Sequence, residues 1–465
     1  MNLNQTLQEK YPHLEVSVFS YSKVKEHLIF GSEFNSNTRE NAIQSIISNK
    51  NVNDYFELIN TNVSTLKEFV YMYDLTHSLG NFMIDVEPTQ EIGSNKKEAI
   101  KGDFVISRLR SYLKEMAVIQ SKNFKQLLST EYLVYRPKTN LLSSNTLLAF
   151  SLSRIVQTIL NYSQYGTEHP RFYEFVFNEM PIPKCLLLMN TEIDSIMNKA
   201  YEVLEQSKIF YKKAEETLYL ELGLDPKNPL QSLLDSKTNN PTNSLNISIR
   251  TLKESFLKTG RLDSEYYQSK YEDIEKFIKS YPNGYDSFSS IINNKDTNFT
   301  PKNNENYSYI ELANIGNNGN ISEPISDLGK NLPTRARRIV SKGDVIISSI
   351  EGSLSSCALI TQEFDKHLVS TGFFVLNSKL LNGETLLVMF KSQIFQEYLK
   401  KFPSGTILCA INKEELSKIL IPTIDPTTQE KIAKYIQESF NLRKKSKQLL
   451  DNAKIKVEEQ IQGNK

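Results

Sequence analysis

Cysteine and histidine are both scarce in this chain of 465 residues. The three cysteines, Cys185, Cys357 and Cys409, are odd in number and lie far apart, without the CxxC spacing of a zinc site. The five histidines also lack the spacing of metal ligands. We therefore expect no metal in this chain, and scattered cysteines are typical of a reducing compartment such as the cytoplasm.

Long apolar runs are missing as well. The longest covers residues 185–189, whereas a membrane-spanning helix needs about twenty apolar positions. The first residues, Met-Asn-Leu-Asn-Gln, show neither the basic nor the apolar region of a signal peptide. We expect a cytoplasmic protein with no membrane contact.

Charge of one sign does not dominate, because 55 Lys and Arg residues face 54 Asp and Glu residues and leave a formal charge of +1. No global basic field therefore attracts a polyanion, and any nucleic-acid site must be a local patch. With 39% hydrophobic and 23% charged residues, the composition is typical of a globular protein, and the length predicts two or three domains.

Catalytic motifs are absent too. The sequence has no GxxxxGK[ST] phosphate loop, no Gly-rich dinucleotide turn and no Asn-Pro-Pro-Tyr-like loop of the adenine methyltransferase type. The acidic pairs Glu215-Glu216 and Glu458-Glu459 fall on predicted long helices, where we interpret them as solvated faces and not as acid/base pairs. These absences favour a binding protein over an enzyme.

A long amphipathic helix is present twice. Apolar side chains recur at helical spacing after Thr427, and the same face occurs 239 positions earlier. The later helix is predicted to begin with a capping box of Thr427 and Glu430. The earlier one is predicted to end at Gly223, with Pro226 just beyond. Each helix runs for roughly thirty residues, or roughly 45 Å.

Other segments repeat in the same order. The sequence KGDVIIS at 342–348 matches KGDFVIS at 101–107, and VSTGF at 369–373 matches LSTEY at 128–132, both at an offset of 241. The sequence TLL at 385–387 repeats residues 146–148 at an offset of 239. An ordered series at a nearly constant offset indicates two copies of one unit.

We therefore predict an α+β fold with two tandem copies of a mixed, β-rich globule, each followed by a long α-helix. The two long helices are expected to pack antiparallel as a spacer. Residues 145–162 are predicted as one further helix. The predicted boundaries are 1–14 for a leader, 15–188 for the first globule, 189–223 for the first long helix, 224–246 for a Pro/Asn/Ser-rich linker, 247–426 for the second globule and 427–462 for the second long helix.

Several motifs of the second half occur in a family-specific order. They are the Gly-Asp-apolar-Ile-Ile-Ser strand, the Ser-Thr-Gly-Phe strand, FPSGT at 402–406, Ile421-Pro422, and QEKI at 429–432 opening the last helix. This series resembles the DNA-specificity (S) subunit of type I restriction–modification systems. The resemblance covers about residues 15–462 and is strongest in the second half.

The resemblance implies two target-recognition domains, each reading one half of a bipartite double-stranded DNA target. It implies that the long helices set the gap and dock two methyltransferase subunits, which restriction subunits join. S-adenosylmethionine then belongs to the methyltransferase, and ATP and Mg belong to the restriction subunit. The chain itself is expected to be non-catalytic, without a cofactor, in a complex that methylates adenine at N6 and cleaves DNA.

Candidate DNA contacts are basic and polar side chains in loops around the repeated strand, because phosphates and base edges are bound by such groups. The predicted DNA-binding residues are Arg108, Arg110, Tyr112, Lys114, His169, Arg171, Arg335, Arg337, Arg338, Ser353, Thr406 and Lys413. The alternative for each is a solvated strand edge or a structural ion pair. The residues predicted to dock partners on the helices are Ile193, Met197, Tyr211, Leu218, Ile432, Ile436, Leu450 and Val457.

Two other functions remain open from the sequence. The chain resembles equally the specificity subunit of a related bifunctional, type IIB-like nuclease–methylase. A scaffold that binds only proteins would also use two globules on paired helices, and it predicts that mutating the basic loops leaves DNA binding unchanged.

Overall fold

The computed structural model describes residues 3–14, 16, 18–235, 249–405 and 409–463. The chain divides into two compact units. Unit 1 comprises Met1–Leu204 and Lys444–Lys465, and unit 2 comprises Glu205–Arg443. Each unit contains a segment of both long helices.

Unit 1 is built from short helices and strands. Its helices are α1 (Leu3–Lys10), α2 (Tyr21–Val24), α3 (Asn37–Gln44), α4 (Val52–Tyr55), α5 (Ser144–Ser151), α6 (Arg154–Asn161) and α7 (Glu174–Asn178). Its strands are β1 (Phe56–Ile59), β2 (Asn62–Val63), β3 (Val70–Tyr73), β4 (Lys96–Ala99), β5 (Phe104–Ser107), β6 (Met116–Val118), β7 (Lys125–Ser129), β8 (Tyr132–Pro137), β9 (Gln164–Tyr165) and β10 (Arg171–Phe172).

Unit 2 has a comparable set of elements. The helices from the first long helix onward are α8 (Lys184–Glu221), α9 (Pro229–Asp235), α10 (Phe256–Thr259), α11 (Ser269–Lys279), α12 (Phe288–Ile291), α13 (Gly383–Lys391), α14 (Gln393–Leu399), α15 (Lys413–Ser417) and α16 (Pro426–Gly463). The strands are β11 (Tyr285–Ser287), β12 (Ile292–Asn294), β13 (Asn306–Ile310), β14 (Ile325–Leu328), β15 (Ala336–Ile339), β16 (Val345–Ser348), β17 (Cys357–Leu359), β18 (Leu368–Ser370), β19 (Phe373–Ser378) and β20 (Leu420–Pro422).

The sheets of the two units have the same plan. One four-stranded antiparallel sheet has the order β1-β8-β5-β6 in unit 1 and β12-β19-β16-β17 in unit 2. A second sheet shares three strands, β4-β7-β3 and β15-β18-β13, whose β3/β7 and β13/β18 pairs are parallel. Its fourth strand lies at opposite edges, as β2 beside β4 and as β14 beside β13. The predicted α+β fold with two copies of one globule is confirmed.

Strand β5 of unit 1 and strand β16 of unit 2, which we call the central strands, are buried at all four positions. In unit 1, Phe104 and Ile106 pack into the cluster that contains α5 and α6, whereas Val105 packs with residues of the second sheet. Helices therefore cover one face of the sheet and strands cover the other. A strand buried on both faces needs a continuous apolar run, and this explains the repeated Phe-Val-Ile and Val-Ile-Ile sequences.

A Gly-Asp turn leads into each central strand. Gly102 has φ of +89° and Gly343 of +88°, a conformation that favours glycine. The carboxylates of Asp103 and Asp344 each accept a hydrogen bond from the main-chain N–H three residues earlier, at 2.9 and 2.8 Å. Each also forms an ion pair of 2.8 Å with a basic side chain of the same unit. The repeated Gly-Asp sequence is thus fixed by its backbone conformation and by the buried carboxylate.

The prediction of one helix over residues 145–162 is wrong. The segment forms α5 and α6, separated at Ser153, whose extended backbone (ψ of 150°) precedes the second helix. Ser392 separates α13 from α14 in the same way in unit 2, with ψ of 148°. Because the apolar residues keep helical spacing through the break, periodicity alone does not reveal it.

The predicted capping box at the start of the last helix is also wrong. Helix α16 begins at Pro426, and the carboxylate of Asp425 accepts hydrogen bonds from the N–H groups of Thr427 and Thr428 at 2.9 and 3.2 Å. Proline suits the first helical position because its missing N–H would have no partner there. The aspartate that precedes a proline therefore marks the start of this helix, and the pair of Thr427 and Glu430 does not.

The two long helices have 38 residues each, which corresponds to about 57 Å. Helix α8 ends at Glu221, shortly before Gly223 with φ of +75°, as the sequence predicted. No helix in the described part of the chain is long and apolar enough to cross a membrane.

Antiparallel packing of these helices is visible inside each unit. In unit 1 the hydroxyl of Ser446 donates to the carbonyl of Ala200 at 2.6 Å, and Lys456 pairs with Glu192 at 2.7 Å. In unit 2 the Ser439 hydroxyl donates to a main-chain carbonyl of α8 at 2.8 Å. Buried hydroxyls bonded across the seam fix one register, because any slip leaves them without partners.

We predict that Gly383→Ser destabilises unit 2, although Ser144 occupies the equivalent position of unit 1. A Cβ at Gly383 would lie 2.6 Å from the carbonyl oxygen of Gly343 and 2.7 Å from Leu359. Such overpacking costs about 1–3 kcal/mol, which a lower melting temperature will report. The control is Gly352→Ala, whose Cβ meets nothing within 4 Å. Equal melting temperatures for wild type and Gly383→Ser contradict the prediction.

Candidate nucleic-acid interface

The two basic loops predicted in unit 1 come together. Leu109 forms a β-bridge with Arg171, and the N–H of Phe172 donates to the carbonyl of Arg108 at 3.1 Å. The N–H of Arg110 donates to the carbonyl of Pro170 at 2.8 Å. We call residues 108–114 and 165–171 the basic loop pair. It forms one surface from segments that are about sixty residues apart in the sequence.

Two arginines of the basic loop pair share one carboxylate. The guanidinium of Arg171 donates two hydrogen bonds to the carboxylate of Glu131, at 2.6 Å from Nη2 and 3.0 Å from Nε. The guanidinium of Arg108 lies 3.6 Å from the same carboxylate. The hydrogen bond from Arg171 holds the pKa of the Glu131 carboxyl below its usual value, and the same bond raises the pKa of Arg171. Both arginines therefore carry a structural role besides any contact with a ligand.

Arg110 forms no ion pair with a carboxylate in the described part of the chain. It has φ of +48°, and its Nη2 donates to Nδ1 of His169 at 3.1 Å, so that imidazole nitrogen is the acceptor. Lys114 also has a positive φ, of +55°, and Tyr112 between them is exposed. Left-handed residues thus flank the short turn Ser111–Leu113 on both sides.

Unit 2 repeats the same backbone with different side chains. Ile350 forms a β-bridge with Ala410, the N–H of Ile411 donates to the carbonyl of Ser349 at 2.8 Å, and that of Glu351 donates to the carbonyl of Cys409 at 3.0 Å. The same three contacts hold the basic loop pair together. In each contact one residue lies 241 positions earlier in the sequence and the other lies 239 positions earlier. We call residues 349–356 and 409–411 the serine loop pair, because it has four serines and no basic residue.

The remaining predicted residues of unit 2 are placed differently from one another. Ser353 bonds the hydroxyl of Ser348 at 2.8 Å, Lys413 pairs with Asp296, and Arg337 donates from Nε to a main-chain carbonyl at 2.7 Å. Arg335 is exposed. Thr406 lies outside the described residues.

Arg338 is corrected to a structural residue. It is half-buried, its Nη1 donates to the carbonyl of Phe373, and burial lowers its pKa. Lys97 occupies the equivalent place in unit 1 and donates from Nζ to the carbonyl of Tyr132 at 2.9 Å. The offset of 241 relates the two residues, so the repeat itself was the signal that identifies Lys97. Both tie the second sheet to the first.

The residues predicted to dock partners on the long helices are buried within this chain. Each is at most 8% exposed, because it packs against the other long helix or the adjacent globule. These residues are Ile193, Met197, Tyr211, Leu218, Ile432, Ile436, Leu450 and Val457, and their docking role stays a prediction. A helical stripe identifies the buried face, and a partner must contact other positions. Exposed apolar side chains on these helices are Leu188, Ile209, Leu220 and Ile455.

Glu215 is not the solvated residue that its helix position predicted. It lines a cavity of about 320 Å³ in unit 2 together with Tyr211, Lys391 and Gln396. Burial raises the pKa of Glu215 to about 7 and lowers that of Lys391. Among the residues that the structure describes, no group of three or more His, Cys, Asp or Glu side chains is placed to hold a metal ion.

Part of the chain is similar in sequence to a known family. Residues 287–452 match the family model described as the type I restriction modification DNA specificity domain. The chain is also similar to the type I restriction enzyme HindI specificity subunit of Haemophilus influenzae, with 29% identity over 129 residues. That alignment covers 27% of this chain and 28% of the relative, so it spans less than a third of the relative's length. The predicted resemblance to type I specificity subunits is confirmed.

Three solved structures are similar over most of their length, at low scores. A chain from a structure on assembly and conformational transition of the type I R-M system has 15% identity and a TM-score of 0.28, and covers 87% of this chain and 96% of its own. The HsdS subunit of Thermoanaerobacter tengcongensis has 14% identity and a TM-score of 0.26, covering 87% and 95%. The type I restriction-modification S subunit from M. genitalium has 13% identity and a TM-score of 0.40, and the alignment covers 89% of this chain and 95% of that chain. TM-scores below 0.5 support no argument about this chain.

We predict that Glu131→Gln lowers the stability of unit 1 at neutral pH but not in acid. Because its folded pKa is depressed, the Glu131 carboxylate stabilises the fold above its ordinary pKa of about 4.5. This contribution is lost as the pH falls through the lower folded pKa. A half-exposed pair of this kind contributes on the order of 1 kcal/mol.

Chemical unfolding of wild type and Glu131→Gln at pH 7 and near pH 3 measures the effect. The control is Glu87→Gln, at an exposed position of the same unit. A difference between wild type and Glu131→Gln that is as large near pH 3 as at pH 7 contradicts the expected role of the carboxylate.

Proposed function

We propose that this chain, which carries a type I restriction modification DNA specificity domain, is the DNA-binding specificity subunit of a type I restriction–modification complex. Each globule reads one half of a bipartite double-stranded DNA target. The complex methylates adenine at N6 and cleaves DNA, and this chain contributes recognition without chemistry of its own.

One observation carries this proposal. The loop pairs of the two units have the same backbone contacts, yet one is rich in arginine and the other in serine. Equal frames with unequal side chains suit two heads that read two different sequences. The basic loop pair supplies the local positive patch that a chain of net charge +1 needs in order to bind phosphates.

The proposed partners are two methyltransferase subunits, which use S-adenosylmethionine, and restriction subunits, which use ATP and Mg. We propose that the long helices set the gap between half-sites and dock the methyltransferase subunits. Exposed apolar side chains such as Leu188, Ile209 and Ile455 are the candidate contacts, because they lie outside the buried seam.

The first prediction of this proposal concerns methylation. Co-expression with the neighbouring genes should yield adenine methylation at a two-part motif with a fixed gap, detected by single-molecule sequencing of genomic DNA. Deletion of this gene serves as the control and should abolish the pattern. Exchange of residues 15–188 for those of a relative should change only one half of the motif.

The absence of any methylation that depends on this gene contradicts the proposal and favours a protein-only scaffold. A partner gene that fuses cleavage and methylation in one polypeptide would instead indicate the type IIB-like system.

The second prediction concerns salt. Arg110 donates to His169 and forms no ion pair with a carboxylate among the described residues, so its positive charge can neutralise a phosphate. We expect Arg110→Ala in the complex with methyltransferase subunits to weaken DNA binding and to reduce the slope of log K against log salt by about one. The control is Lys50→Ala, an exposed lysine outside the loop pair that pairs with Asp54. Binding titrations that give both variants the wild-type slope would contradict the assignment.

A further inference from the structure

A cavity opens beside the serine loop pair of unit 2. It has a volume of about 400 Å³ and is lined by Tyr309, Arg335, Ile350, Thr371, Gly372 and Phe373, among others. Most of its wall is apolar, with a few polar groups at the edge, as in small-molecule and base-binding sites. The cavity lies next to the bridge between Ile350 and Ala410, the counterpart of the bridge that joins the basic loop pair.

Two residues at the equivalent positions of unit 1 carry polar groups that unit 2 lacks. Glu131 occupies the position of Gly372 and forms an ion pair with Arg171, and Tyr132 occupies the position of Phe373. The hydroxyl of Tyr132 bonds Ser78 at 2.6 Å. Unit 2 has neither the carboxylate nor the hydroxyl at these positions.

The glycine at 372 is not required by the fold. A Cβ at this position would meet only the hydroxyl of Ser370 at 3.5 Å and Ile350 at 4.0 Å, which are ordinary contacts, and its φ is not positive. The backbone therefore accepts a side chain, and the structural effect of glycine is to leave the cavity open. Glycine at such places permits close approach of a ligand to the backbone.

Arg335 is the basic residue of this cavity. Its carbonyl accepts a hydrogen bond from the N–H of Thr371 at 2.9 Å, which fixes its backbone at the rim. No carboxylate in the described part of the chain forms an ion pair with its guanidinium, whereas Arg337 and Arg338 are bonded to main-chain carbonyls. Glu311 also lines the cavity, and its N–H donates to the side-chain oxygen of Asn314 at 2.8 Å.

A buried polar group also lacks a partner at this cavity. Tyr309 is fully buried and lines the wall, yet its hydroxyl has no hydrogen-bond partner within the described residues. Such groups are rare in folded proteins and indicate a missing water or ligand. The cavity thus combines an exposed arginine, the carboxylate of Glu311 and an apolar wall that includes Tyr309.

We propose that this cavity is the guanine-reading site of the second recognition globule. Arg335 donates two hydrogen bonds to O6 and N7 of one guanine in the half-site that unit 2 reads, and the concavity at Gly372 admits the edge of the base pair. A guanidinium fork matches these two acceptors, and this is the commonest specific contact of proteins with the major groove. The inference rests on the proposed function and adds the base and the residue.

The test uses the full complex with its methyltransferase subunits and a duplex carrying the mapped motif. The half-site of unit 2 is first identified by exchange of residues 247–426. Each guanine of that half-site is then replaced singly by 7-deazaguanine, which lacks the N7 acceptor. We expect one position at which wild-type affinity falls about tenfold or more. Arg335→Ala should show the same loss on normal DNA and no further loss with 7-deazaguanine.

Two variants separate base reading from simple attraction to phosphate. Arg335→Lys keeps the charge but not the fork, so it should remain sensitive to salt and lose preference for guanine. Gly372→Glu should pair with Arg335, as Glu131 pairs with Arg171, and should give the same relaxed motif as Arg335→Ala. Arg337→Ala is the matched control and should keep the wild-type motif in methylation mapping.

The outcomes are distinct. A half-site without guanine, or equal effects of 7-deazaguanine in wild type and Arg335→Ala, overturns the guanine site while leaving the proposed function intact. If the wild-type complex gives no gene-dependent motif, the proposed function itself fails. Unchanged melting temperatures for the variants confirm that a changed motif does not come from unfolding.

Discussion

The packing of α8 against α16 is the contact on which both units depend. Ile193 of α8 and Val457 of α16 belong to the core of unit 1, and Leu218 and Ile432 belong to that of unit 2. Neither globule closes its core without side chains from both helices. For this reason unit 1 is discontinuous in sequence, because Lys444–Lys465 joins Met1–Leu204, and the linear boundaries of the predicted domains remain a prediction. The same burial removes the stripe from the surface that partners can reach.

The repeat made much of the fold predictable. A constant offset identifies equivalent segments whatever the helix or strand propensity of each segment. The Gly-Asp turn shows why some residues are the same in both copies. Gly102 has to adopt a positive φ, and Asp103 has to satisfy a buried N–H. The break between α5 and α6 was not predictable from periodicity, because it changes only the backbone of Ser153 while apolar spacing continues. The cap at Asp425 was missed because two capping signals compete within three residues.

The candidate site was predicted less completely, for a physical reason. Basic residues in a loop were recognised by type, but type does not tell which of them is already bonded. Arg338 reaches a main-chain carbonyl, as Lys97 does in the other unit, and a carbonyl partner leaves no trace in the sequence. The contact between the loops of Arg108 and Arg171 is likewise long-range. Only the structure shows that Arg171 forms an ion pair with Glu131 and Arg338 bonds a carbonyl, whereas Arg110 contacts His169.

The division between frame and surface explains how one fold can carry two loop pairs with different side chains. The loop pairs are held by hydrogen bonds between main-chain groups, which any side chain can accompany. Substituting Glu131 by the glycine of unit 2 therefore removes an ion pair without disturbing the backbone, and Tyr132 can become Phe373 with loss of one hydroxyl. The two units therefore differ in the size and the charge of the side chains at the loop pairs. A frame fixed by its backbone permits the side chains of the loops to differ between the units, while the buried pair Tyr132 and Phe373 keeps an aromatic ring in each core.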